Sequence, residues 1–317
     1  MTRRLSAMVI AIAAFAGLAS AANAEVLTID GMTPAESDGF AEILSVAIGN
    51  FGGSDGRSLA FELEDRLSAV TVSGQPYFDV IGGRSAVQSD ATLSGQVTAG
   101  VDEYKIVAKR NRCVERGTKD KCLTYKDIDV NCLTRVIDFR AQVRGTRYSD
   151  GRSIYTESFP HKKEQTVCEG DEEDFAYSES VIRSMLAETA DAIRNDLAPR
   201  QYRLDVRVLE SRKGMTKAQS NLFKAAVKMT KTNPAEACRM WDDAAQNGLS
   251  HVSLSFNRAL CAEQRGDLDS AMALYDEADR LAPGKYEVAD SLQRAGGHRQ
   301  AMLEWELHQS GMAENRN

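Results

Sequence analysis

The residue types that could carry chemistry are few and scattered. The four histidines, His161, His251, His298 and His308, form no tight cluster with cysteines, so a structural zinc site is not expected. There is no G-x-S-x-G, H-E-x-x-H, Walker A or G-x-G-x-x-G. Gly52-Gly53-Ser54-Asp55-Gly56 precedes a helical pattern, where backbone amides could meet an anion. It lacks the Lys of a phosphate loop and reads as a turn. His161 lies in His-Lys-Lys and reads as solvated; His298 follows Gly296-Gly297 and reads as a helix start. Asp242-Asp243 reads as a solvated helix surface. With no nucleophile–base or metal set, the expectation is a protein that is not an enzyme, with no catalytic residue, cofactor or metal.

The other reactive groups are six cysteines with no C-x-x-C among them. Cys113 and Cys122 flank Gly117-Thr118-Lys119-Asp120, a hairpin tip, and should pair across it. Cys132 and Cys168 sit at opposite ends of a strand–turn–strand stretch and form the natural second pair. Cys238 and Cys261 fall in consecutive helices of a repeat described below. Such bridges belong in an oxidising compartment, and the N-terminus points the same way. Arg3-Arg4, an apolar run from Leu5 to Leu18 and Ala22-Asn23-Ala24 form the three parts of a secretory signal over residues 1–24. The run is too short for a comfortable membrane span, and no cysteine near the cleavage site offers a lipidation point. The expected location is the periplasm, with no membrane span.

Charge excludes one class and suggests another. Lys and Arg number 39 against 46 acids, a net charge of −7, so a surface made for nucleic acid is not expected. Basic residues nevertheless crowd the cysteine hairpin: Lys109, Arg110, Arg112, Arg116, Lys119, Lys121 and Lys126. Glu169, Asp171, Glu172, Glu173 and Asp174 follow Cys168. One reading is a basic finger, centred on Arg110, Arg112, Arg116, Lys119 and Lys121, for an anionic envelope component. The other, favoured because surface charge runs are commonly only solvated, is that a Cys132–Cys168 bridge brings the acidic run near and neutralises the finger within the chain.

The elements that position these groups come from periodicity. Residues 43–51 read as a buried strand. Leu59, Ala60, Leu63, Leu67 and Val70 share a helix face. Residues 77–81 read as a second strand. Leu93, Gly95, Val97, Ala99 and Val101 alternate with polar residues, and Leu133, Ile137, Phe139, Ala141 and Val143 keep one parity as well, with Arg135 the exception. Asp150-Gly151 turns into a strand at 154–159. A helix over 177–197 stops at Pro199, and Tyr202, Leu204, Val206 and Val208 alternate as a half-buried strand. The expected fold class is α+β, a sheet with helices packed on one side, over residues 25–210 with a Cys-stapled hairpin at about 104–168.

This order, with Gly-Asn-Phe ending the first strand, then Tyr-Phe-Asp-Val-Ile and Leu-Ser-Gly-Gln-Val, resembles the CsgG-like envelope proteins. That group includes the curli secretion channel, penicillin-binding-protein activators and the TolB N-terminal domain. The resemblance implies an envelope protein and permits an oligomeric secretion or assembly component. The acylated cysteine of the channel and activator lipoproteins is missing, and the hairpin is too charged for a membrane strand.

Residues 235–244 align with 269–278 at an offset of 34: Ala237 with Ala271, Met240 with Leu274, Trp241 with Tyr275, Ala244 with Ala278. Phe256-Asn257, Ala259, Gly266-Asp267 and Pro283 complete a pattern that resembles the tetratricopeptide repeat. Ala301 and Trp305 suggest a third, shortened unit. An all-α repeat module over 211–317, with repeats at about 217–310, is expected. The resemblance implies a concave face that binds a peptide or helix of a protein partner. Its positions here are Gln219, Leu222, Ala226 and Met229, then Ser253, Phe256, Leu260 and Glu263. The apolar ones could equally pack against the preceding domain. The functional expectation is an adaptor or scaffold.

Overall fold

The structure is a computed structural model that describes residues 25–82, 89–118 and 121–314. The expected signal peptide and Lys119 lie outside the described residues. The chain divides into two compact units. A sheet unit holds Asp30–Arg203 with Ala289–Asn317, and a helical unit holds Leu204–Val288 with the stretch up to Ile29.

The sheet unit contains β2 (Ser45–Gly52), α1 (Gly56–Ser68), β3 (Thr71–Val72), β4 (Gln75–Pro76) and β5 (Asp79–Ile81). It continues through β6 (Ala91–Arg116), β7 (Cys122–Arg147), β8 (Ser153–Cys168) and α2 (Ser178–Leu197). Its five-stranded sheet has the order β5-β2-β6-β7-β8. β2 is parallel to both neighbours, and β6, β7 and β8 run antiparallel. β1 (Val26–Thr33) and β9 (Arg200–Arg207) form a separate two-stranded sheet.

Alternation builds the core. Register pairs Val97 with Ala141 and Ala99 with Phe139, so odd-numbered residues of both strands share one face. Leu93, Val97, Phe139, Ala141 and Val143 are buried there with Leu59, Leu63 and Leu67 of α1 and Leu186, Ala190, Ile193 and Leu197 of α2. The Gly-rich stretch before α1 is a turn: Gly53 has φ +90°, and a Cβ there would lie 1.8 Å from the Val97 carbonyl oxygen.

β6 and β7 run well beyond the sheet. β8 ends at Cys168, opposite Cys132, and past that point β6 and β7 continue as a two-stranded ribbon. Its contour from Cys132 to Cys122 is about 30 Å at strand rise. Disulfides join Cys132 to Cys168 at its base and Cys113 to Cys122 at its tip; a third joins Cys238 to Cys261. These are the three pairs expected from the sequence.

The helical unit contains α3 (Lys217–Met229), α4 (Pro234–Gln246), α5 (Val252–Gln264) and α6 (Leu268–Leu281), each packed on the next. Each begins at a side-chain cap. Thr216 forms a capping box with Gln219, and Asn233, His251 and Asp267 each accept a backbone N–H. Trp241 lies 6.3 Å from Phe223, and Tyr275 lies 5.6 Å from Phe256. Buried Ala237, Ala271 and Ala278 leave the space these rings fill.

The C-terminus departs from the expectation of a third repeat. Residues Tyr286–Glu314 form one helix, α7, that runs through Gly296-Gly297 without breaking. From Ala289 it belongs to the sheet unit. Ala301 and Trp305 are buried in that unit's core, and Trp305 stacks on Tyr77 at 6.0 Å. The expected boundary at 211–317 therefore shifts to 288. The two glycines cost about 1 kcal/mol each in a helix interior, which burial of a Trp outweighs. His298 lies inside α7 rather than at its start, and is buried.

Candidate functional site

Two surfaces gather the residues singled out from the sequence. The first is a cleft of about 220 Å³ between α3 and α4, lined by Gln219, Leu222, Met240, Asp243, Ala244, Asn247 and Leu249. Leu222 stands in it 62% exposed, although it belongs to the apolar stripe of an amphipathic helix. Arg239 reaches the neighbouring carboxylates, bonding Glu236 and lying 3.7 Å from Asp243. The guanidinium of Arg239 holds the Glu236 carboxyl below the usual range.

Of the eight concave positions expected from the repeat resemblance, Gln219 and Leu222 line this cleft, and Met229 is half-buried. Ala226, Ser253, Phe256, Leu260 and Glu263 are buried, which corrects their assignment as partner-contacting residues. The reason lies in α5. Besides α4 and α6, it meets the strand segments of its own unit. Asn257 accepts from the Leu209 N–H at 2.8 Å and donates to the Leu209 carbonyl at 3.0 Å. Gln264 donates to the Thr28 carbonyl at 3.0 Å. Glu263 accepts from the Tyr275 hydroxyl at 2.7 Å, a buried hydrogen bond rather than a ligand contact. Cys238–Cys261 clamps α5 to α4. On the other side of the cleft, Met240 and Ala244 were visible only as repeat-pattern residues, and Leu249 was not singled out. Nothing in their spacing separates a lining position from a core one.

The second surface is the ribbon. The acidic run does reach back to it, as the neutralising reading expects. Arg112 bonds Asp171 and donates to the carbonyls of Gly170 and Glu169, while Asn131 donates to Glu169 at 3.2 Å. The Cys168 amide, and then Arg112, hold the Asp171 carboxyl below the usual range. Lower down, Arg135 pairs with Glu103 at 2.7 Å and lies 4.3 Å from the Phe175 ring centre. Arg112 and Arg135 are compensated in this way. Arg110, Arg116, Lys121 and Lys126 also lie on the distal ribbon, with exposed Val114, Leu123 and Tyr125 among them. Those three apolar residues were not singled out from the sequence; the signal was there as apolar residues inside a basic run.

Elsewhere the titratable groups serve packing. His161 is half-buried, 3.0 Å from the Thr189 hydroxyl and against Phe139, rather than solvated. His251 caps α5 through Nδ1. Burial pushes the Tyr155 hydroxyl up, with a further push from Asp196, whose carboxylate accepts a hydrogen bond from it at 2.5 Å. Among the described residues, no group of three or more His, Cys, Asp or Glu is placed to hold a metal, and no helix is long and apolar enough to cross a membrane.

No family model matches the chain, and no curated protein matches it. A neuraminyllactose-binding hemagglutinin homolog from Helicobacter pylori overlaps 52% of this chain and 89% of its own, at 10% identity and a TM-score of 0.32. PelC from Paraburkholderia phytofirmans, solved as a dodecamer, overlaps 55% of this chain and 98% of its own in one crystal form, at 14% identity and a TM-score of 0.22. At these scores the likeness carries no argument about fold or function.

Proposed function

We infer that this chain is a non-enzymatic periplasmic adaptor that recruits a protein partner through its helical unit. The observation that carries this reading is the α3/α4 cleft, an apolar recess with an exposed Leu222 at its edge. A cleft of this shape suits one or two apolar side chains of an extended peptide or a partner helix. The 34-residue period and the resemblance to tetratricopeptide repeats support the same use. Three disulfides fit an exported protein, and the resemblance of the element order in the sequence to CsgG-like proteins fits the bacterial envelope. The distal ribbon adds a second contact, to an anionic envelope component.

A photo-crosslinking residue at Leu222 tests the reading in living cells, with the same residue at exposed Phe61 of α1 as the control. One discrete adduct from position 222, absent from position 61 and lost when Met240 is changed to Glu, supports recruitment. Equal adducts from both positions, or none from 222, overturn it. The mass of the purified chain in solution separates the adaptor from an oligomeric envelope assembly, for which a discrete ring of several copies is the signature.

A further inference from the structure

The distal ribbon combines two features that a contact with a plain polyanion does not require together. Across the paired stretches 110–116 and 121–128, the described residues hold Arg110, Arg112, Arg116, Lys121 and Lys126 against two acids, Glu115 and Asp127, in a chain of net charge −7. Glu115 accepts from the Thr124 hydroxyl at 2.9 Å, Asp127 accepts from Asn111 at 3.0 Å and Asp171 takes up Arg112, which leaves the segment with a net positive charge. Set among these cations, Val114 is 46% exposed, Leu123 60% and Tyr125 62%. β8 ends too early to cover them. The Cys113–Cys122 disulfide joins the two strands beside the tip, which lowers the backbone entropy lost when they make a contact.

A Tyr ring, a Leu and several Lys or Arg presented together form the chemistry of a membrane–water interface. The aromatic ring settles at headgroup level, the aliphatic side chain enters the acyl boundary and the cations meet lipid phosphates. A polyanion in solution would satisfy the cations and leave Leu123 and Tyr125 in water. The contact is peripheral, because charged residues interrupt the apolar ones along both strands of the ribbon.

We propose that the ribbon tip docks on the surface of an anionic phospholipid bilayer, with Leu123 and Tyr125 entering the headgroup layer and Arg116 and Lys121 meeting lipid phosphates. This rests on reading the ribbon as the anionic contact and is independent of the helical unit. Sedimentation of the full, oxidised chain with vesicles tests it. The chain should bind vesicles of phosphatidylcholine mixed with phosphatidylglycerol and ignore phosphatidylcholine alone. Leu123→Ser with Tyr125→Ser should lower the partition constant by about tenfold. Arg116→Glu with Lys121→Glu should lower it at least as far. Tyr125→Trp, which does not depend on disabling the tip, should raise it. No binding to mixed vesicles overturns the proposal, as does full binding by the Leu123→Ser, Tyr125→Ser variant. Capture of soluble polyphosphate with the mixed vesicles ignored keeps the anionic contact and overturns the lipid assignment.

Discussion

His308 shows how one buried side chain can set a pH dependence. It lies in α7, its ring stacked 4.1 Å from Tyr77 and 5.8 Å from Trp305, and edge-on to Phe78. Its Nε2 donates to the Tyr77 carbonyl. Burial lowers its pKa, and the backbone partners and Asp90 only partly oppose that. The folded state therefore prefers the neutral ring, and the unfolded chain binds the proton more readily. Stability from this site is fully present above the ordinary histidine value of about 6.5 and falls as pH drops from there toward the lower folded value. Urea unfolding between pH 7.5 and 5 should show that decline, and His308→Gln should flatten it; an equal slope in the variant would assign the dependence to other groups. A smaller effect is expected at the β3–β4 turn, where Ser73 has φ +51° before Gly74 at φ +77°. Both central residues of this tight turn are left-handed, which Ser tolerates poorly. Ser73→Gly should raise the melting temperature slightly, by about 0.5 kcal/mol in stability, and Ser73→Val should lower it.

At the level of elements, the disulfides clamp joints that packing leaves weak. An isolated two-stranded ribbon is marginal in water, and here β6 and β7 have no third strand beyond Cys132. The loops closed by the bridges span 36 residues for Cys132–Cys168, 23 for Cys238–Cys261 and 9 for Cys113–Cys122. Replacing each pair by Ala should cost about 4, 3 and 2–3 kcal/mol in that order, as the chain-entropy account gives. Denaturant midpoints check the ranking, and hydrogen exchange at Ala108 and Val130 should rise only on loss of Cys132–Cys168. The core strands and helices were legible because one face is buried: period 2 at 91–101 and 133–143, and three-to-four spacing at 59–67 and 182–197. The ribbon's length was not, because residues 104–129 are exposed on both faces and carry no period. The buried face of α5 was not legible either. A repeat pattern fixes which side of a helix is apolar, but not that residues 25–29 and 204–209, far away in sequence, cover it.

For the molecule as a whole, the distribution of α7 decides what each unit needs to be stable. The aligned Ala301 and Trp305 suggested a third, shortened repeat unit at the C-terminus. Instead residues 289–314 complete the sheet unit, where Trp305 and His308 cover Tyr77, and burial pushes the Tyr77 hydroxyl up. Their contribution to that unit is local and large: a buried Trp truncated to Ala typically costs about 3–5 kcal/mol. Trp305→Ala should therefore destabilise residues 30–203 while leaving the cleft between α3 and α4 intact. A chain ending at residue 288 should do the same more severely. Hydrogen exchange separates the two accounts. Loss of protection at Tyr77, Phe78 and the β2 amides, with α4 and α5 still protected, follows from α7 serving the sheet unit. Loss confined to α5 and α6 would instead mean that the C-terminal helix works as the third, shortened repeat that the alignment alone implied. That outcome would return residues 289–314 to the helical unit and restore the third repeat read from Ala301 and Trp305.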